Sequence, residues 1–463
     1  MPPEHIPSPE PPSLLWRVWR SIRREPLWPA DERGRVRLAA SDLILHLHPP
    51  RVPARALRLT YTFGLGGIAI LLLVVQVLTG VLLMFAYTPS PEAAYNSLVA
   101  LQTEVHFGQL IRNLHHWSAN LLLIVVFLHL LRVFYTAAFR HPRQFNWQLG
   151  LALLGLVVVA NFTGYLLPWD QLSYWAVTVG TSLISYIPLV GEPIKRLLLG
   201  GPEVNATTLS NFYALHVMLI PLGFLVTGAF HIWRVRKDKF TIPRRIGEES
   251  TPRRLEMVTT IPHLVAKELI VALVVLALLL TWSTFVDAPL LDAADPNQPP
   301  NPTRAAWYFL GIQELLLHFH PTFGAFLIPA ITIGALIALP YLRDDADTTG
   351  IWFRSWRGRW LAVLSLMLGA GATAALVILA ERGLTPQAAL PFLPAWLGNG
   401  LVPLGVAMLA VYGYARVVRR LGANPGETRL AIFTLLLAVF LTLTAIGLEV
   451  EEMTVLGEAW HIR

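Results

Sequence analysis

Nine stretches of this chain are apolar over about the twenty residues that a helix needs to cross a bilayer, and this leaves few folds open. They lie near 60–86, 113–134, 148–167, 211–233, 264–285, 323–342, 359–380, 400–415 and 429–448. Lipid offers no partner to backbone N–H and C=O groups, so each such stretch must bond internally as a helix. Composition agrees: 54% of the 463 residues are hydrophobic and only 14% are charged, against roughly 45–50% and about 25% in an ordinary soluble domain. A soluble enzyme is excluded. The expected fold class is all-α, a polytopic membrane protein of eight to nine transmembrane helices. The stretch at 400–415 is the shortest, so the ninth crossing and the side of the tail depend on it.

Charge sets the topology. The net charge is +7, but the basic residues sit in short segments between apolar spans, which reads as orientation and not as nucleic-acid binding. The connections after the second, fourth, sixth and eighth spans hold Arg140 and Arg143, then Arg234 through Arg254, then Arg343, Arg354 and Arg357, then Arg416, Arg419 and Arg420. The opposite connections hold Glu92, Glu104, Asp170, Glu192, Asp287, Asp292 and Asp295, with few basic residues except Lys195, Arg196, Arg304 and Arg382. A multi-pass protein with its N-terminus and basic loops in the cytoplasm follows, with the acidic tail of Glu449, Glu451 and Glu452 outside. There is no cysteine, which excludes disulfides, cysteine-held iron–sulfur clusters and covalent haem on this chain.

Four segments follow from composition. Residues 1–56 form a Pro-rich, charged N-terminal arm without a signal-peptide core. Within it Leu14, Leu15, Val18, Trp19 and Ile22 recur at helical spacing among Arg17, Arg20, Arg23 and Arg24. That pattern suits either a helix lying on an anionic membrane surface or a basic arm for a partner subunit. Residues 57–240 carry four spans and 241–384 a second helical half, divided by the Pro-rich, charged stretch 234–262. Residues 385–463 are additional C-terminal helices and a tail.

The chemistry lies in a grid of histidines and glycines. His115 and His129 stand 14 positions apart in the second span, His216 and His231 15 apart in the fourth. Ionisable side chains inside a membrane are costly and usually functional. At about 100° and 1.5 Å per residue, 14 positions return to within about 40° of the same face some 21 Å further on, and 15 land about 60° away. Two such helices side by side can present two facing imidazole pairs, the natural axial ligands of a non-covalent haem. Gly66 and Gly80 in the first span, and Gly150 and Gly164 in the third, repeat the 14-residue interval. Glycine lets a neighbouring group come close to the backbone. Any one of these residues reads equally well as ordinary small-residue packing; the joint register points to a four-helix di-haem bundle. Arg112 and Arg132 lie three positions from His115 and His129, where they can pair haem propionates.

These residues resemble cytochrome b of quinol-oxidising bc and b6f complexes. The strings that carry the resemblance are GQLIRNLHHWSANLLLIVVFLHLLRV at 108–133, TGYLLPWDQLSYWAV at 163–177 and TLSNFYALHVMLIPL at 208–222. Residues 260–380 resemble the rest of cytochrome b or a fused subunit IV, and those from about 385 onward match nothing assignable. The resemblance implies two non-covalent b haems, an outer one on His115 and His216 and an inner one on His129 and His231. Arg236 and Lys237 would face the inner haem and an inner quinone pocket. It further implies quinol oxidation outside, a Rieske iron–sulfur protein and a c-type cytochrome subunit as partners, a homodimeric complex, proton translocation, and residence in the bacterial inner membrane.

Three departures qualify it. Gly64 stands where b6-type chains carry the cysteine for an extra covalent haem. The usual PEWY string of the outer quinol site reads Ala305, Ala306, Trp307, Tyr308, so its carboxylate is missing. Asn211 stands where relatives often have arginine. Glu314, eight residues after Ala306, is the replacement candidate as proton acceptor, with Asp170, His318 and His320 as rivals and Tyr165 as a further outer-site group. For Glu314, a helix-end or subunit contact is the equal alternative. A different function class stays open beside this one: a di-haem electron-conducting anchor of another redox complex, which the missing glutamate would suit. Retained Trp307 and Tyr308 and the full second half favour the quinol reaction, and a haem-free transporter has little to recommend it.

Overall fold

The computed structural model describes residues 29–41, 48–248, 255–300, 305–343 and 347–455. The surface helix expected over residues 14–24 lies outside them. Among the described residues nine helices are long and apolar enough to cross a membrane: Leu65–Met84, Gly108–Tyr135, Gln144–Leu166, Ala206–Asp238, Thr260–Phe285, Thr322–Tyr341, Trp356–Glu381, Leu397–Arg420 and Pro425–Leu448. They are called the first to ninth spans below. Each expected stretch falls on one of them, and the chain is a polytopic all-α membrane protein.

Two span limits differ from the sequence reading for local reasons. The first span begins at Leu65 and not near 60, because Phe63 (φ 51°) and Gly64 (φ 65°) are both left-handed and break it from a short helix at Leu59–Thr62. Two successive left-handed residues end an α-helix, and glycine takes that conformation without a Cβ penalty. The eighth span runs 24 residues instead of the 16 of its apolar stretch. Its extra turns come from a π turn at Leu397–Leu401 and from Arg416–Arg420, which continue the helix beyond the apolar core.

Three spans contain such a turn, and proline explains all three. π turns cover Leu215–Leu219, Thr322–Leu327 and Leu397–Leu401, and Pro221, Pro329 and Pro403 each follow two residues after the turn. Proline has no N–H for the carbonyl four residues back, and its ring crowds that carbonyl. Widening the preceding turn to an i→i+5 bond, as in Ile220 N–H to Leu215 O, relieves both defects within the helix.

Lipid is as apolar as leucine, so these helices are held by close packing and not by exclusion of water. The first four spans enclose a buried cluster that includes Leu72, Leu122, Leu123, Val125, Val157, Ile220 and Phe224. The seventh and ninth spans approach through small residues; a Cβ on Gly369 would come within 2.6 Å of the Leu435 carbonyl oxygen. The ninth span then packs back onto the first half, with Phe433 stacked on Phe134 at 3.7 Å between ring centroids and Thr434 Oγ1 3.1 Å from the Tyr135 hydroxyl. The segment that resembles nothing assignable is thus built into the centre of the molecule. A short antiparallel ladder pairs Arg51, Val52 and Pro53 with Thr259, Val258 and Met257, tying the N-terminal arm to the start of the second half.

Candidate haem and quinone site

The four glycines face the four histidines, one to one. A Cβ built on Gly80 would meet His115 Cε1 at 3.2 Å, and one on Gly164 would meet His216 Cε1 at 2.6 Å. On Gly66 and Gly150 it would meet His129 and His231 Cε1 at 3.7 and 3.5 Å. The glycines of the first span therefore serve the histidines of the second, and those of the third serve the fourth. His115 and His216 face each other with ring centroids 6.2 Å apart and planes at 72°. Two metal–nitrogen bonds of about 2 Å, plus the half-width of each ring, come to about that separation. The donors and the cradle fit a bis-histidine haem.

A hydroxyl fixes each ring of this pair. Thr79 Oγ1 lies 2.9 Å from His115 Nδ1, and Thr163 Oγ1 lies 3.2 Å from His216 Nδ1. Each threonine already donates to the carbonyl four residues back, Thr79 to Val75 O at 2.6 Å and Thr163 to Val159 O at 2.9 Å. The hydroxyl oxygens must then accept from Nδ1–H, which leaves the Nε2 lone pair of both imidazoles for a metal. Neither composition nor helical spacing singles out these two threonines. Their signal was the dipeptide Thr-Gly, which occurs at Thr79-Gly80 and Thr163-Gly164, whereas Leu65 and Leu149 precede Gly66 and Gly150.

The second layer is built more loosely. His231 Nδ1 is buried with no side-chain partner, near the Asn146 backbone carbonyl, and among the described residues no hydroxyl bonds the His129 ring. Between the layers lies the leucine and valine cluster already described.

The unequal intervals of 14 and 15 residues are reconciled by the π turn at Leu215–Leu219, which contains His216. A π turn takes one extra residue into a helix without an extra step along its face. Fifteen positions then behave as fourteen, and the fourth span presents its histidines in the register of the second.

The arginines divide. Arg112 is buried, and both its terminal nitrogens are taken by backbone carbonyls, Ala288 O at 2.8 Å and Pro289 O at 2.6 Å. Each of these nitrogens keeps a second N–H, and the loop after the fifth span folds over this end of the second span. Arg132 stacks over Tyr61 at 4.7 Å and donates Nε–H to Tyr61 O at 3.2 Å, which leaves its terminal nitrogens for an anion. Arg236 and Lys237 occupy the last turn of the fourth span, with Lys237 Nζ 4.9 Å above the Trp233 ring.

The quinol-site residues also divide. Trp307 donates Nε1–H to Asn120 Oδ1 at 2.6 Å, and the Tyr308 hydroxyl is buried without a partner. Burial, and then the neighbouring Tyr165, push the Tyr308 hydroxyl pKa up. Asp170 is held by two backbone N–H groups. One carboxylate oxygen caps the helix Gln171–Ile184 through Ser173 N–H at 2.9 Å, and the other accepts from Leu291 N–H at 3.1 Å. Glu314 is buried and lies 3.3 Å from His318 Nε2. Its helix, Leu310–His318, packs on the ninth span through Leu310 and Gly311, and Glu314 projects between those two positions at about 100° per residue. His320 stands apart, its N–H bonded to Asn399 O at 2.8 Å and its ring 5.9 Å from Tyr186.

The family model Cytochrome b/b6/petB matches residues 53–239, the segment that contains both layers. A cytochrome b6 of Heliomicrobium gestii is 45% identical over 42% of this chain and 90% of its own. A protein of Geobacillus thermodenitrificans named menaquinol:cytochrome c reductase cytochrome b subunit is 37% identical over 46% and 96%. A cytochrome b of Arabidopsis thaliana is 34% identical over 71% and 83%. Among solved structures, a chain of a hyperthermophilic respiratory Complex III superposes with a TM-score of 0.63 over 90% of this chain and 98% of that one, at 23% identity, and so shares the fold. With a b6-like first half fused to a second helical half, and four glycines each opposed to a histidine, the chain belongs to the cytochrome b/b6 family of electron-transport membrane proteins.

Proposed function

We propose that the chain is the cytochrome b subunit of a quinol:electron-acceptor oxidoreductase of bc or b6f type, in a bacterial cytoplasmic membrane with its basic face in the cytoplasm. The observation that carries this reading is the facing pair His115 and His216, 6.2 Å apart over Gly80 and Gly164, repeated along both helices by His129 and His231. Haem bound at each layer supplies reversible one-electron chemistry. The chain's own residues hold and orient it. The two threonines fix the imidazole tautomer, the apolar cluster keeps water from between the layers, and Arg132 offers terminal nitrogens to a propionate. Layers about 21 Å apart let charge cross without moving a charged side chain through lipid.

On the outer side, quinol gives up two electrons and two protons. Tyr308 offers a buried hydroxyl to a quinol oxygen, beside Tyr165, and Trp307 is pinned by Asn120. Glu314, paired with His318, is assigned to take one of the two protons in place of the missing PEWY carboxylate, and the other is released to the outer aqueous phase. One electron leaves to a Rieske protein and onward to a c-type cytochrome; His115, His216, His129 and His231 would hold the groups that relay the other toward quinone near Arg236 and Lys237. The complex works as a homodimer.

The test is a reduced-minus-oxidised spectrum of the purified complex, with quinol:cytochrome c reductase activity. Two b-type components are expected, one of them lost in His216→Leu; absence of any b-type band overturns the reading. Glu314→Gln should slow quinol oxidation with both haems in place, and unchanged turnover removes it as the acceptor. Haems without reductase activity would favour the electron-conducting anchor.

A further inference from the structure

The second span has a polar face turned away from its histidines. Gln109, Asn113, Trp117 and Asn120 lie within about 80° of one another around the helix, and His115 points about 120–160° away from them. Three of the four strap the span to the chain at the end of the fifth. Gln109 Nε2 donates to Asp287 Oδ1 at 2.9 Å, Asn113 Nδ2 to Ser283 O at 2.9 Å and Trp117 Nε1 to Val286 O at 2.8 Å. Asn120 reaches a different segment. Its Nδ2 donates to His116 O at 3.0 Å, and its Oδ1 accepts from Trp307 Nε1–H at 2.6 Å. A backbone carbonyl only accepts and an indole N–H only donates, so the amide is fixed at both its ends.

The string Ala305–Tyr308 is held at its other end as well. Ala305 N–H donates to Gln313 Oε1 at 2.7 Å, a bond that proline at this position could not make. Between the two anchors the rings support one another, Trp307 and Tyr308 meeting edge to face with centroids 5.7 Å apart and planes at 88°. The indole is 37% exposed, so packing within the chain leaves it room to swing, and the bond to Asn120 removes that freedom. A side chain ordered in advance loses less when a ligand binds. Taking residues 305–308 as the outer quinol site, the reading on which this rests, we propose that Asn120 and Gln313 are its positioning residues. The two side-chain amides hold the string from opposite ends and so present Trp307 and the Tyr308 hydroxyl to quinol. Neither has to touch the quinol itself, and Asn120 ties the site to the helix that carries His115.

The experiment uses the purified complex, with b-haem content as the check on folding. Leucine matches asparagine in shape and suits a membrane helix, so Asn120→Leu removes the bond without opening a hole. It should raise the KM for quinol, and the Kd of a quinol analogue that cannot be oxidised, about two- to tenfold, the worth of one neutral hydrogen bond. Both haems and kcat should change little. Trp307→Phe removes the same bond from the indole side. Because Asn120 acts through Trp307, the double variant should be no worse than Trp307→Phe alone, whereas a merely structural role would add its own loss. Gln109→Leu, on the same face but bonded to Asn113 and Asp287, should keep the wild-type KM. Gln313→Leu should raise KM as Asn120→Leu does, and it carries the test if that variant loses haem. A wild-type KM in either amide variant with both haems in place, or additive losses in the double variant, overturns the proposal and leaves the quinol reaction standing. A wild-type complex that neither oxidises quinol nor binds the analogue overturns both.

Discussion

The two histidine layers use the same four helices and the same residue types, yet they are not equally rigid. At His115 and His216 each ring meets a threonine hydroxyl, and a Cβ on the facing glycine would come to 3.2 and 2.6 Å of it; at His129 and His231 such a Cβ would come only to 3.7 and 3.5 Å, and among the described residues no hydroxyl bonds the ring. A ligand set whose tautomer and orientation are fixed in advance loses little on binding its metal. The looser layer must find part of that order from the haem itself. Position along a repeat therefore does not equate two sites; the residue beside each glycine separates them.

The largest effect should come from the glycines. Gly164→Ala places a Cβ 2.6 Å from the His216 ring, closer than real Cβ contacts allow, and should remove most of one b haem from the purified complex. Gly66→Ala makes an ordinary 3.7 Å contact and should leave both. Equal haem loss in the two variants, measured by pyridine haemochrome, would break the comparison. The threonines come next. Thr79→Val and Thr163→Val each delete a hydrogen bond worth about 0.5–1.5 kcal/mol and should weaken retention of that haem about two- to tenfold. A smaller gain should follow from Leu149→Thr, which gives the second layer the dipeptide of the first and offers His231 Nδ1 a partner. Haem loss from the second layer should slow, and no change would mean the hydroxyl is not what distinguishes the layers.

The smallest effect concerns the basic face. Hydrogen bonds from Arg55 and then from Arg245 N–H lower the Glu248 pKa to about 2. A carboxyl lowered on folding adds stability at every pH above its unfolded value of about 4.3 and loses it as pH falls toward 2. Because the pair is partly exposed, the contribution is small. Glu248→Gln should flatten haem loss from the second layer below about pH 4 and leave the first layer unchanged.

Much of the site was legible from spacing. The histidine and glycine intervals are periods of a single helix, and a helix keeps its register without help, so the layers followed from residue numbers alone. What spacing could not show depended on segments far away in sequence. Leu291 N–H takes the second oxygen of Asp170, and Ala288 and Pro289 accept from the Arg112 guanidinium. Glu314 stands two turns along from the altered PEWY string, but only packing shows the ninth span against its helix. The 15-residue interval looked like a twist between ligands, although Pro221, visible in the sequence, forces the turn that cancels it.

By itself the sequence determined where the apolar spans lie, the alternation of basic and acidic connections, and the shared register of histidines and glycines. Each of these is a sum over neighbouring residues, of hydropathy, charge or helical angle, and such sums do not depend on what lies across the bundle. Tertiary structure alone decided which imidazoles oppose each other, which threonine fixes which ring, and how the last span returns to pack on Phe134 and Gly311. Those contacts join residues tens to hundreds of positions apart, and their geometry is set by close packing between helices, which no periodicity within one helix encodes.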